Sequence, residues 1–185
     1  MSSQLRSKDL IKLHSLCMID IIEDTAIAAL ERMPAILLDF PNDFDSVEQA
    51  VEWNLNSAHS HHAPGMSKTG DIVESCQSQL RFNSCTNKYE WIVDLKLLAS
   101  YWSTWFADLT ESFLNFSDSR LLVLANTDYM DKKMIIAQMQ GKFQLAIVRD
   151  SGHAIHEDHP EQLADLIAGL VMKHLKLLHI LRLNK

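Results

Sequence analysis

Acid–base groups stand behind apolar runs at three places in this chain. Leu16-Cys17-Met18-Ile19 ends at Asp20, Leu121-Leu122-Val123-Leu124 is followed by Asp128, and the run from Phe143 to Val148 leads to Gly152-His153. A histidine in a tight loop between a strand and a helix can take a proton from a nucleophile on a neighbouring loop. A carboxylate on its other ring nitrogen then orients it and stabilises the imidazolium. Asp20 and Asp128 are the two candidates for that carboxylate, against the alternative that each is a solvated residue at a strand end. A structural loop histidine is the corresponding alternative for His153. A nucleophilic serine needs a Gly-x-Ser-x-Gly elbow, aimed by a strand and backed by a helix. Gly65-Met66-Ser67-Lys68-Thr69-Gly70 imitates that elbow, but its second glycine comes one position late and no apolar strand precedes it. Ser67 is therefore rejected as a nucleophile.

The elements that must position these groups follow from the hydrophobic pattern. The three runs are short and apolar on both faces, as buried parallel strands are. A helix is expected from about Thr25, with Ala26, Ile27, Ala29 and Leu30 inward and Pro34 disturbing its end. Another follows the capping-box residues Ser46 to Gln49, with Val47, Ala50, Val51 and Leu55 at helical spacing. Tyr89 to Leu95 alternates as a short extended segment does. Trp102, Trp105, Phe106, Leu109 and Phe113 fall on one helical face and read as core. A helix is expected around Lys132 to Met139. A last one opens at Pro160, with Leu163, Leu166, Ile167, Leu170 and Val171 as its buried stripe. From about 58 to 88 the residues are rich in Ser, His, Asn, Gly and Thr and read as a mobile loop or insertion. Strands alternating with helices imply the α/β class, with a parallel sheet covered on both faces.

The segment Ser151-Gly152-His153-Ala154-Ile155-His156-Glu157-Asp158-His159-Pro160-Glu161 resembles the histidine segment of α/β-hydrolases in general. Four further segments are more specific: Leu16-Cys17-Met18-Ile19-Asp20; Ala50-Val51-Glu52-Trp53; Tyr101-Trp102 with Trp105-Phe106; and Gln138-Met139-Gln140-Gly141-Lys142-Phe143-Gln144. All five, in this order, resemble protein phosphatase methylesterase, from about Leu16 to about His174. The resemblance implies a partial α/β-hydrolase fold over 1–185, a parallel sheet with flanking helices whose N-terminal half is missing. It implies the family's reaction: a serine carboxylesterase removes the methyl ester from the C-terminal leucine of the protein phosphatase 2A catalytic subunit, without a cofactor. That subunit is then the expected partner. By the same resemblance His153 is the general base and Asp20 orients it, while the wider superfamily places the acid one strand later, at Asp128. The family's serine lies upstream, so the chain alone is expected to be inactive. A non-catalytic phosphatase-binding protein or a truncated isoform is the alternative.

Composition narrows the remaining classes. A net charge of -7 and a pI of about 5.6 argue against a nucleic-acid binder, which needs a basic face. No apolar run is long enough to span a bilayer, and the basic, leucine-containing tail from Lys173 to Lys185 reads as a helix end rather than a membrane anchor. Met1 to Lys12 has no secretory pattern. Cys17, Cys76 and Cys85 are odd in number and lack metal-ligand spacing, which fits reduced thiols in a cytoplasmic or nuclear protein. His59, His61 and His62 are not expected to hold a metal, because a site needs several ligands fixed on a scaffold.

Overall fold

Leu121, Leu122, Val123 and Leu124 are all buried, as residues of a strand covered on both faces must be. They belong to a computed structural model that describes residues 13–57, 60–63, 70–126 and 130–183. In chain order the elements are β1 (Ser15–Ile19), α1 (Glu23–Leu30), α2 (Met33–Leu38), β2 (Asp43–Phe44), α3 (Val47–Asn56), α4 (Gly70–Ser78), β3 (Leu80–Asn83) and β4 (Lys88–Trp91). A 3-10 helix (Leu95–Tyr101) leads to α5 (Trp102–Trp105), α6 (Leu109–Leu114), β5 (Ser119–Leu124), α7 (Lys132–Met139), β6 (Gln144–Ile147), α8 (Ile155–Asp158) and α9 (Pro160–Leu183). They fall into two compact units. The first holds residues 1–25, 107–149 and 160–185; the second holds 26–106 and 150–159.

The first unit is built on a parallel sheet in the order β1-β5-β6. Cys17 pairs with Leu121 and Ile19 with Val123, while Leu122 pairs with Leu145 and Leu124 with Ile147. Its core joins Met18, Ile22, Phe113, Leu122, Leu124, Met134, Ala137 and Phe143. Helix α7 starts because the Asp131 carboxylate accepts the Met134 amide at 2.7 Å, occupying a donor the first turn leaves open. Helix α6 borrows its cap from a distant residue. Glu23 accepts the amides of Asp108 at 3.1 Å and Thr110 at 2.8 Å.

The second unit holds an antiparallel sheet in the order β2-β4-β3. Ser46 caps α3, its hydroxyl accepting the Gln49 amide. The core joins Phe44, Ala50, Val51, Ile72, Cys76 and Leu80. The rings of Phe40, Phe44, Trp53 and Trp91 stand mostly edge to face beside it, the arrangement their quadrupoles favour.

Four sequence expectations change. The stretch 58–88 contains α4 and the β3–β4 hairpin. Its polar composition concealed Ile72, Cys76 and Leu80, which recur every four residues and are buried. Helix α1 has no buried residue, and Pro34 lies in the first turn of α2 rather than breaking α1. The aromatic face from Trp102 to Phe113 is broken at Asp108, which takes φ 61°, so α5 and α6 are separate helices and Trp105 is exposed. In α9 the inward line is Leu163, Leu166, Leu170 and His174, while Ile167 and Val171 are 36% and 45% exposed. A 24-residue helix beside a small sheet buries a stripe narrower than its apolar content suggests.

Strand β1 is an edge of the parallel sheet and, among the described residues, pairs only with β5. An open edge of apolar sequence is a template for another strand. The chain is expected to self-associate with rising concentration in sedimentation-velocity experiments. A monodisperse monomer at high concentration would contradict this.

Candidate active site

Asp20 is the first residue past β1. It takes φ 48°, the left-handed region that short polar residues tolerate better than most. Its amide donates to the Val123 carbonyl at 2.7 Å, and its Oδ1 accepts the Ala125 amide at 2.8 Å. The carboxylate is thereby tied across the C-terminal ends of β1 and β5. That is where ligand chemistry gathers in open parallel sheets.

His153 belongs to the second unit, in the loop that opens at Asp150. Asp150 takes φ 58° and accepts at its carbonyl from the His159 ring, Nε2 at 3.1 Å. The His153 side chain is exposed, with its ring centroid 6.4 Å from that of His61. The residues on either side of it are pinned. Gly152 donates its amide to Asp158 Oδ2 at 2.7 Å, and Ala154 donates its amide to the His61 carbonyl at 2.8 Å.

The pin is a buried polar cluster. Asp158 has no exposed side-chain surface, and that of His62 is 3% exposed. Asp158 Oδ1 lies 2.7 Å from His62 Nδ1, and Oδ2 also accepts the Ala63 amide at 2.9 Å. On the other side of the ring, His62 Nε2 lies 3.5 Å from Glu157, which accepts the Ser75 hydroxyl at 2.7 Å. Burial pushes the Asp158 carboxyl up, but the Gly152 amide, the His62 ring and the Ala63 amide outweigh it and hold it below the ordinary carboxylate range. Gly152 is required for space. A Cβ there would stand 2.3 Å from the His61 carbonyl oxygen and 2.5 Å from the His62 carbonyl carbon.

Asp20 and His153 thus lie in different units, Asp20 immediately after β1 and His153 in the loop between β6 and α8. Asp128 and Ser67 lie outside the described residues. Burial raises the thiols of Cys17 and Cys76, so neither is poised as a thiolate nucleophile. No group of three or more metal-ligating side chains occurs among the described residues. His62 and Asp158 were missed from the sequence. His62 sits in a polar stretch and its partner is 96 positions away, so no local spacing announces them.

No family model matches the chain. It is similar to curated proteins named protein phosphatase methylesterase 1. Identity is 39% to that of Saccharomyces cerevisiae, over 80% of this chain and 36% of the relative. It is 34% to that of Candida albicans, over 92% and 44%, and 32% to that of Homo sapiens, over 88% and 51%. The chain therefore spans between about a third and a half of the length of these relatives. Among solved structures it is similar to E-2-(acetamidomethylene)succinate hydrolase, with a TM-score of 0.66 at 15% identity, over 92% of this chain and 62% of the other. It is also similar to an esterase of Mycobacterium tuberculosis, with a TM-score of 0.53 at 18% identity, over 85% and 51%. At those identities the likeness establishes the fold, which is part of an α/β-hydrolase.

Two outcomes follow for the pinned loop. Gly152→Ala pushes a Cβ into backbone that cannot swing aside, and is expected to cost about 1–3 kcal/mol in urea unfolding. A wild-type midpoint in that variant would contradict the packing. Because the Asp158 carboxyl is held down in the folded state, its contribution is fully present above its ordinary value of 3.8 and is lost as pH falls through the lower folded value. The stability gap between wild type and Asp158→Asn should therefore be widest at neutral pH and narrow in acid. A gap that widens in acid would contradict the assignment.

Proposed function

We propose, from the premise that this chain is homologous to the proteins named protein phosphatase methylesterase 1 and has part of an α/β-hydrolase fold, that it carries the proton-transfer half of a serine carboxylesterase. The substrate in this reading is the methyl ester of the C-terminal leucine of the protein phosphatase 2A catalytic subunit. The homology carries the reading, and the position of Asp20 behind β1 and of His153 on a pinned loop supports it.

In this reading His153 takes the proton of an attacking serine hydroxyl, and Asp20 orients the ring and stabilises the imidazolium. Collapse of the tetrahedral intermediate expels methanol, which takes the proton back from His153. Water then attacks the acyl-serine, with His153 again the base, and the free carboxylate leaves. The tether from the Ala125 amide keeps the Asp20 carboxylate from turning away from its task. No Gly-x-Ser-x-Gly elbow occurs in these 185 residues. One oxyanion donor is the amide after such a serine, so that donor is also lacking here.

The 185-residue chain alone is therefore expected to release no methanol from methylated phosphatase, and a serine-reactive fluorophosphonate should not label it. Turnover abolished by His153→Ala, or stoichiometric labelling of any serine in this chain, would overturn that. In a chain extended with the nucleophile-bearing part of a relative, Asp20→Asn should lower turnover by about 10,000-fold, the scale seen when the base loses its orienting acid. A mild Asp20→Asn beside a crippling Asp128→Asn would move the acid to Asp128.

A further inference from the structure

Resting on the reading of His153 as the proton-transfer group, we propose that His62 is a positioning residue. Its ring fixes the Asp158 carboxylate, which holds the Gly152 amide and so sets where the adjoining His153 stands. Four observations converge on this role.

The first is that His62 cannot be catalytic itself. Its ring is buried, with Nδ1 hydrogen-bonded to Asp158 at 2.7 Å and Nε2 facing Glu157 at 3.5 Å. The Asp158–His62 pair has the chemistry of a proton relay, but a third group, Glu157, stands where a nucleophile would have to be.

The second is the demand of the carboxylates. An ionised carboxylate only accepts, so the His62 Nδ1 that faces Asp158 at 2.7 Å must carry the proton of that hydrogen bond. Without the His62 ring the buried Asp158 keeps the Gly152 and Ala63 amides on Oδ2 but loses the donor on Oδ1, and removing one partner of a buried charge pair is costly. Relief comes by protonation of Asp158, which weakens its oxygens as acceptors, or by its rotation toward water, which takes Oδ2 away from the Gly152 amide.

The third is that His153 is bracketed by the segment His62 belongs to. Gly152 is tied to Asp158, which also holds the Ala63 amide, and Ala154 is tied to the His61 carbonyl. His153 is the residue between these two ties.

The fourth is the absence of slack. The Gly152 Cα faces the backbone of His61, His62 and Ala63 so closely that no Cβ fits. A shift of the 60–63 segment must therefore be taken up by the loop on which His153 stands, because close-packed backbone has no space to absorb it.

The experiment uses the full 185-residue chain as wild type, His62→Ala and His62→Asn. The asparagine amide can return the donor that Nδ1 provides. NMR reads two quantities, the hydrogen exchange of the Gly152 amide and the titration of the His153 ring. In His62→Ala the Gly152 amide should exchange roughly 10- to 100-fold faster, the scale of a lost hydrogen bond to a charged group. The His153 titration should shift, while amides of β5 exchange as before. His62→Asn should restore most of the protection and of the titration. Unchanged Gly152 exchange, an unchanged His153 titration, uniform acceleration through both units, or no recovery in His62→Asn would each overturn the proposal.

If His62→Ala does not fold, wild type supplies the test. The Gly152 amide proton must then follow the acid titration of Asp158 in its chemical shift, and indifference would overturn the pin. The catalytic reading fails separately. Full turnover of His153→Ala in the extended chain would remove the role of His153 while leaving the His62-dependent placement of its ring intact.

Discussion

A carboxylate with no exposed surface must find donors or give up its charge, and Asp158 finds them on three sides. The amides of Gly152 and Ala63 and the ring of His62 converge on its two oxygens. Each donor belongs to a backbone segment that has no regular structure of its own. The 60–63 segment and the 150–154 loop would otherwise have to satisfy their backbone groups with water, and loops that do so move. Here one buried acid replaces the ladder that a helix or strand would supply. The order of the second unit around His153 depends on that acid keeping its charge, which is why the donors matter more than the burial.

On the sheet side the constraint is different. Parallel strands β1, β5 and β6 deliver their C-terminal ends to one edge, and the chain must turn sharply as it leaves each. Asp20 follows β1 in the left-handed region, and Asp150 does the same a few residues after β6. Aspartate tolerates that backbone because its short side chain can bond locally. At Asp20 the result is a carboxylate whose backbone is fixed to Val123 and whose side chain is fixed to Ala125.

The elements most readable from the sequence were those with a long, one-sided pattern and a cap nearby. Helix α7 matches its expected span, and the three parallel strands stand within a residue or two of where their apolar runs placed them, although only β5 is largely buried. Ser46 does cap α3. The pattern misled where composition stood in for periodicity. Polar residues concealed α4, and apolar residues on α9 were taken for core that the small sheet is too narrow to cover. The aromatic face after Trp102 looked continuous because helical spacing says nothing about Asp108, whose positive φ splits it.

By itself the sequence determined the α/β class and the place of the three parallel strands, and it nominated two residues for proton transfer. These rest on local pattern, on residue type at strand ends and on five matched segments. Tertiary structure alone decided how the His153 loop is held. Asp158 meets His62 across 96 positions and Glu157 meets Ser75 across 82. Glu23 likewise caps a helix 85 positions away. A hydrogen bond to a buried charge depends on distance in space and on the exclusion of water. Neither quantity is written in the spacing of residues along a chain.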